Sequence, residues 1–219
     1  NEVIKTMLRN PNIDINCTSY YKDEYDNFIF DTPLNCVIKN NNIEIVVLLL
    51  SKSTINVNLN LNIEYANSKN IFNNNISPSL KEKIKKINVH ELFYCFMFHK
   101  HDNYGQNETA LNIAVKNNNI EIIKILLDNP NIDINSQSII INKYGKEELE
   151  TPLNNAIKNE NIEIIELLVS KENLDINLGP SKEYDGDTAL NIAMRNGNKE
   201  IIDILLSNPK INVNLKSKY

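Results

Sequence analysis

The sequence predicts an all-α repeat solenoid, a stack of helix–loop–helix units with a protruding loop after each. Two observations carry this. Four segments share one pattern in fixed phase: TPLNCVIKNNNIEIVVLLL (32–50), TALNIAVKNNNIEIIKILL (109–127), TPLNNAIKNENIEIIELLV (151–169) and TALNIAMRNGNKEIIDILL (188–206). The second half of each is apolar around too wide an arc for a helix with one buried stripe, so it needs neighbours on more than one side.

Within one unit, 109–135, each element has a local cause. Thr109 is a good N-cap, and two sister copies follow Thr with Pro, whose missing N–H costs nothing at the first helical position. Leu111, Ala114 and Val115 give a first helix of about nine residues. Asn117, Asn118 and Asn119 break it, because Asn tolerates left-handed backbone better than other non-glycine residues. The matching position is Gly197 in the last copy and Glu160 in the third, where left-handed backbone would be strained. Ile120, Ile122, Ile123, Ile125, Leu126 and Leu127 build the second helix. Asn129, Pro130 and Asn131 stop it, and Ile132–Asn135 alternates and reads as extended. A polar loop then leads to the next Thr.

The array divides into a partial repeat 1–31, a repeat 32–59 with a long insertion 60–108, and repeats 109–150, 151–187 and 188–219. Residues 3–16 match 122–135, so the chain starts inside a repeat. Neither end carries the polar face of a capping unit, so further repeats are expected on both sides.

Bulk composition narrows the function. The formal charge is −5, with Lys+Arg 23 against Asp+Glu 28, which argues against nucleic-acid binding by bulk charge. Cys17, Cys36 and Cys95 are odd in number and scattered, as free thiols in a reducing compartment would be, so a cytoplasmic, intracellular location is expected. No segment approaches the roughly 18 apolar residues of a membrane span. Asn makes up roughly one residue in five. Such a bias makes the N-x-S/T triplets at Asn16, Asn75 and Asn107 expected by chance.

This pattern resembles the ankyrin repeat family, whose motif is roughly G-x-TPLHxAxxxGxxEIVxLLLxxGADVN. It stands here as DGDTALNIAMRNGNKEIIDILLSNPKINVN (185–214) and, with small changes, three more times; only about 60–102 falls outside it. The resemblance implies an ankyrin-type curved stack with hairpin fingers along one edge. The family's His is Asn35, Asn112, Asn154 and Asn191 here, and Asn can take over its hydrogen bond within the repeat with a shorter reach. The family's small Ala is Ala114, Ala156 and Ala193 but Val37 in the first copy, where close helix approach should be looser.

The resemblance implies that a partner lies along the concave face and fingers. Seven residues after each Thr stands a cation: Lys39, Lys116, Lys158 and Arg195. Asn40, Asn117, Asn159 and Asn196 follow them, and Asp31, Glu108, Glu150 and Asp187 immediately precede the threonines. These form basic and acidic columns. They either select a charged partner or neutralise each other as stack electrostatics suited to the helix dipoles. Tyr20, Tyr21, Tyr25, Phe28 and Phe30, then Tyr144 and Tyr184, add aromatic material that serves as partner anchors or packs finger on finger.

The 60–102 segment holds a basic amphipathic stretch at 79–87 and an apolar run with His90, Cys95, His99 and His101. Cys95 and His99 would share a helix face, but the spacing matches no zinc pattern, so no metal and no cofactor are expected. Catalytic motifs are missing: no GxSxG, P-loop, GxGxxG or HExxH occurs. The chain therefore reads as a non-catalytic scaffold or adaptor that binds another protein. The alternative is a permanent structural component of a large assembly, cytoskeletal for example, docked through 60–102.

Overall fold

The computed structural model describes residues 2–10, 13–16, 19–22, 28–59, 108–141, 147–179 and 187–215. Tyr25, Tyr144, Tyr184, the basic stretch and the histidine cluster lie outside them. The elements run α1 (Glu2–Met7), β1 (Ser19–Lys22), β2 (Phe28–Asp31), α2 (Pro33–Lys39), α3 (Ile43–Leu50), α4 (Ala110–Lys116) and α5 (Ile120–Leu127). They continue with β3 (Ser138–Ile141), β4 (Glu147–Glu150), α6 (Pro152–Lys158), α7 (Ile162–Val169), α8 (Ala189–Asn196) and α9 (Lys199–Ser207).

Each first helix starts where the sequence places it. Thr32, Thr109, Thr151 and Thr188 are extended, and their hydroxyls accept the N–H of Asn35, Asn112, Asn154 and Asn191. Pro33 and Pro152 occupy the first turn. These helices are seven or eight residues long, shorter than expected. The backbone leaves the helix at a left-handed residue: Asn41 (φ 54°), Asn118 (53°), Glu160 (53°) or Gly197 (71°). The next residue is an N-cap again, since the Oδ1 atoms of Asn42, Asn119, Asn161 and Asn198 accept the N–H of Ile45, Ile122, Ile164 and Ile201. Asn therefore does two jobs at successive positions: it bends the chain, then restarts it.

The helices form two rows. First helices pack α2 on α4, α4 on α6 and α6 on α8, while second helices pack α1 on α3, α3 on α5 and α7 on α9. The units at 33–50 and 110–127 are thus direct neighbours. The core lies between the rows, and Ile122, Ile123, Leu126, Ile164, Ile165 and Leu168 are fully buried. The second helices do have neighbours on more than one side, as their wide apolar arc requires. Val37 keeps 7% exposure where Ala114, Ala156 and Ala193 keep none. Two antiparallel hairpins, β1–β2 and β3–β4, project ahead of α2 and α6, with Tyr20 in register with Phe30 and Ser138 with Glu150.

The exit from the second helix differs from the expectation. Residues 132–135 turn and do not extend: the Asp133 carboxylate accepts the Asn135 N–H at 2.9 Å, and the Ser136 N–H meets the Asp133 carbonyl at 3.2 Å. A short acid or amide two residues ahead of an N–H offers a local bond that outcompetes an extended run with no strand beside it. Asp14, Asn56, Asp175 and Asn212 do the same for Asn16, Asn58, Asn177 and Asn214.

Candidate partner-binding surface

Lys39, Lys116 and Lys158 are the last residues of α2, α4 and α6, and Arg195 stands one residue before the end of α8. Helical side chains lean toward the N-terminus, so a long cation there reaches back along its own helix. Each does so onto the carboxylate ahead of its Thr. Lys39 meets Asp31 at 2.8 Å, Lys116 meets Glu108 at 2.7 Å, Lys158 meets Glu150 at 2.7 Å, and Arg195 pairs with Asp187. Lys116 also lies 3.8 Å from the second oxygen of Glu150, which ties two units together.

The two columns are not equally placed. The acid side chains are 4, 14, 6 and 6% exposed along the row, whereas the cations are 18, 35, 40 and 61% exposed. The acidic column lies behind the basic one. A molecule approaching this face meets ammonium and guanidinium groups first.

The Asn column that follows the cations serves the stack as well. Asn159 Nδ2 donates to the carbonyls of Val115 at 3.1 Å and Lys116 at 3.3 Å, the open end of α4. Asn196 Nδ2 reaches the Ile157 carbonyl at 3.5 Å. Asn40 and Asn117 sit at the same register, exposed. The Asn that replaces the family's His does not stay inside the helical pair. Asn35 Nδ2 donates to the Glu108 carbonyl at 2.9 Å and Asn154 Nδ2 to the Asp187 carbonyl at 2.9 Å, the residues just ahead of the following Thr. Asn112 instead meets Thr109 Oγ1, the Ser136 carbonyl and Ser138 Oγ, all within 3.2 Å. The Nδ2 of Asn191, the fourth of these residues, is buried and makes no hydrogen bond among the described residues.

Three ladders of side chains went unseen in the sequence. In the first, Asn16, Asn58, Asn135 and Asn177 each donate to a carbonyl of the next unit, on Thr54, Asn131, Asn173 and Lys210, at 2.6 to 2.8 Å. In the second, each of the same four accepts an N–H two residues further on, from Asn56, Asp133, Asp175 and Asn212, at 2.7 Å. Asn16 spends its amide this way, which fits its triplet being a chance match. In the third, the amides of Asn119, Asn161 and Asn198 donate to the side chains of Asn41, Asn118 and Glu160, the left-handed residues of the preceding unit. The signal available for the first two was the recurrence of Asn at one place after each I-D-I, L-D-I or I-N-V run.

Among the described residues no cluster of three His, Cys, Asp or Glu side chains could hold a metal, and no helix is long and apolar enough to cross a membrane.

A family model for ankyrin repeats in three copies matches residues 137–217, and a model for a single ankyrin repeat matches residues 106–136. Together they span just over half of the chain. No curated protein matches it. One solved structure that it resembles is the ankyrin repeat domain of Bcl-3, described as a unique member of the IkappaB protein family. That domain is 20% identical, with 86% of this chain and 75% of that chain covered, at a TM-score of 0.45.

Proposed function

The chain belongs to the ankyrin repeat family, and from that premise we propose that it is a protein–protein interaction scaffold or adaptor, with no chemistry of its own. Ankyrin repeats generally mediate contact with other proteins and are typically non-catalytic, which supports the coarse reading. The partner would lie along Lys39, Lys116, Lys158 and Arg195, touching Asn40, Asn117, Asn159 and Asn196 and the finger residues Tyr144 and Tyr184. Asp31, Glu108, Glu150 and Asp187 hold the cations in place from behind. The observation that carries this is the asymmetry of the columns, cations outward and acids inward.

In this reading the array works intracellularly. Residues 60–108 are an insertion between units, which the direct packing of α2 on α4 supports. The alternative of a permanent assembly component docked through 60–102 rests on residues outside those described.

The test is affinity capture from native lysate against a charge-neutral control. Replacing a cation alone would strand a buried carboxylate, which is strongly destabilising. The control therefore changes both members of each pair: Lys39→Gln with Asp31→Asn, Lys116→Gln with Glu108→Gln, Lys158→Gln with Glu150→Gln, and Arg195→Gln with Asp187→Asn. A partner held by the parent and lost by the folded control supports the row as the working surface. A partner held by both moves the contact to the fingers or to 60–108, and no partner at all refutes the proposal.

A further inference from the structure

We infer that this row receives an extended, polyproline-like acidic segment whose carboxylates stand three residues apart. The inference deepens the interaction reading above and rests on it.

The sign follows from the geometry. Each ion pair is a dipole with its positive end outward, and the described pairs are aligned from unit to unit. The chain as a whole carries −5, so long-range attraction does not recruit an acid. Short-range hydrogen bonding at the row does. Lys158 and Arg195 are its most exposed members. Lys158 has three N–H donors and the Glu150 pair uses one; Arg195 has five, with one on Asp187. Both side chains stay partly exposed, so a carboxylate can reach the remaining donors.

The spacing follows from the stack. Packed neighbouring helices lie about 8–10 Å apart, so successive cations repeat at about that interval. A polyproline helix advances about 3.1 Å per residue with three residues per turn, returning a side chain to the same face every ~9.3 Å. A β-strand gains a similar length in three residues but turns the third side chain to the opposite face.

The test is fluorescence anisotropy on the full chain with three labelled peptides. The first is proline-rich, with two glutamates three residues apart. The second has the same composition with the glutamates adjacent. The third is a helical peptide with glutamates seven apart, about 10.5 Å on one face. The expected result is that the first binds at least about fivefold tighter than either other, each pair being worth up to about that factor. Two folded variants, Arg195→Gln with Asp187→Asn and Lys158→Gln with Glu150→Gln, should each weaken it by about the same factor. Equal binding of the first two peptides overturns the inference in favour of unspecific charge, and tighter binding of the helical one overturns the extended form. If none of them binds while capture still yields a partner that depends on the row, the inference fails and the interaction reading stands.

Discussion

The N–H of Asp133 donates to the side-chain oxygen of Asn58 at 2.7 Å, across 75 residues of chain. The nitrogen of the same amide donates to the Asn131 carbonyl at 2.6 Å, so one side chain closes both open backbone groups of the neighbouring loop. Asn is the side chain that brings a donor and an acceptor together at this reach. Asp would lose the donor and Ala would lose both. The same clamp recurs at Asn16, Asn135 and Asn177.

Removing one clamp should loosen one seam of the stack. Asn135→Ala deletes two hydrogen bonds, each worth about 0.5–1.5 kcal/mol net, so a loss of about 1–3 kcal/mol is expected in urea unfolding. Asn214→Ala, for which the described residues show no cross-unit bond, should stay within about 0.5 kcal/mol. Equal losses at the two positions would sink the clamp interpretation.

The most buried ion pair should behave as a coupled unit. Lys39→Met leaves Asp31, 3% exposed, without its ammonium partner, and a loss of about 2–4 kcal/mol is expected. Adding Asp31→Asn should restore most of it, because the buried charge goes with its partner. A double-mutant cycle reads the coupling; additive losses would mean that the pair contributes nothing specific.

Glu160 holds a left-handed backbone (φ 53°) that costs a residue with a Cβ roughly 1–2 kcal/mol. Against this stands, among the described residues, only a long, exposed contact from Asn198 at 3.4 Å. Glu160→Gly should therefore raise stability by about 0.5–1 kcal/mol, visible as a higher melting temperature. Gly197→Ala should lower it by about 1 kcal/mol for backbone reasons alone, since an added Cβ there meets nothing within 4 Å.

Gly179 makes the opposite case. A Cβ at this residue would lie 2.9 Å from the Thr188 methyl. That methyl belongs to the short side chain capping α8 and cannot swing aside without moving its hydroxyl. Gly179→Ala should cost about 1–2 kcal/mol, and thermal unfolding should show it. A silent substitution would mean that the cap tolerates displacement.

The helix pairs were legible because their causes are local. Thr109 caps, Pro152 starts, Asn118 bends and Ile122 buries, each within a few residues of its effect. The cations and acids were legible as columns through their fixed offset from Thr. Their pairing was legible only as one of two readings, because whether Lys158 faces Glu150 or solvent depends on how far the side chain leans back along the helix. The clamps were least legible. Asn58 meets its partners through backbone atoms of residues 131 and 133, so no complementary side chain betrays the contact. The strong Asn bias also hid the few asparagines with a fixed task among many without one.

Because Asn58, Asn135 and Asn177 grip only the main chain of the unit that follows, the seam makes almost no demand on which residues that unit carries there. At the clamp, one unit can stand after any other. A gene built from such units can duplicate, drop or shuffle them without compensating changes at these positions, so the length of the array and the residues on its face are free to diversify independently of the clamp.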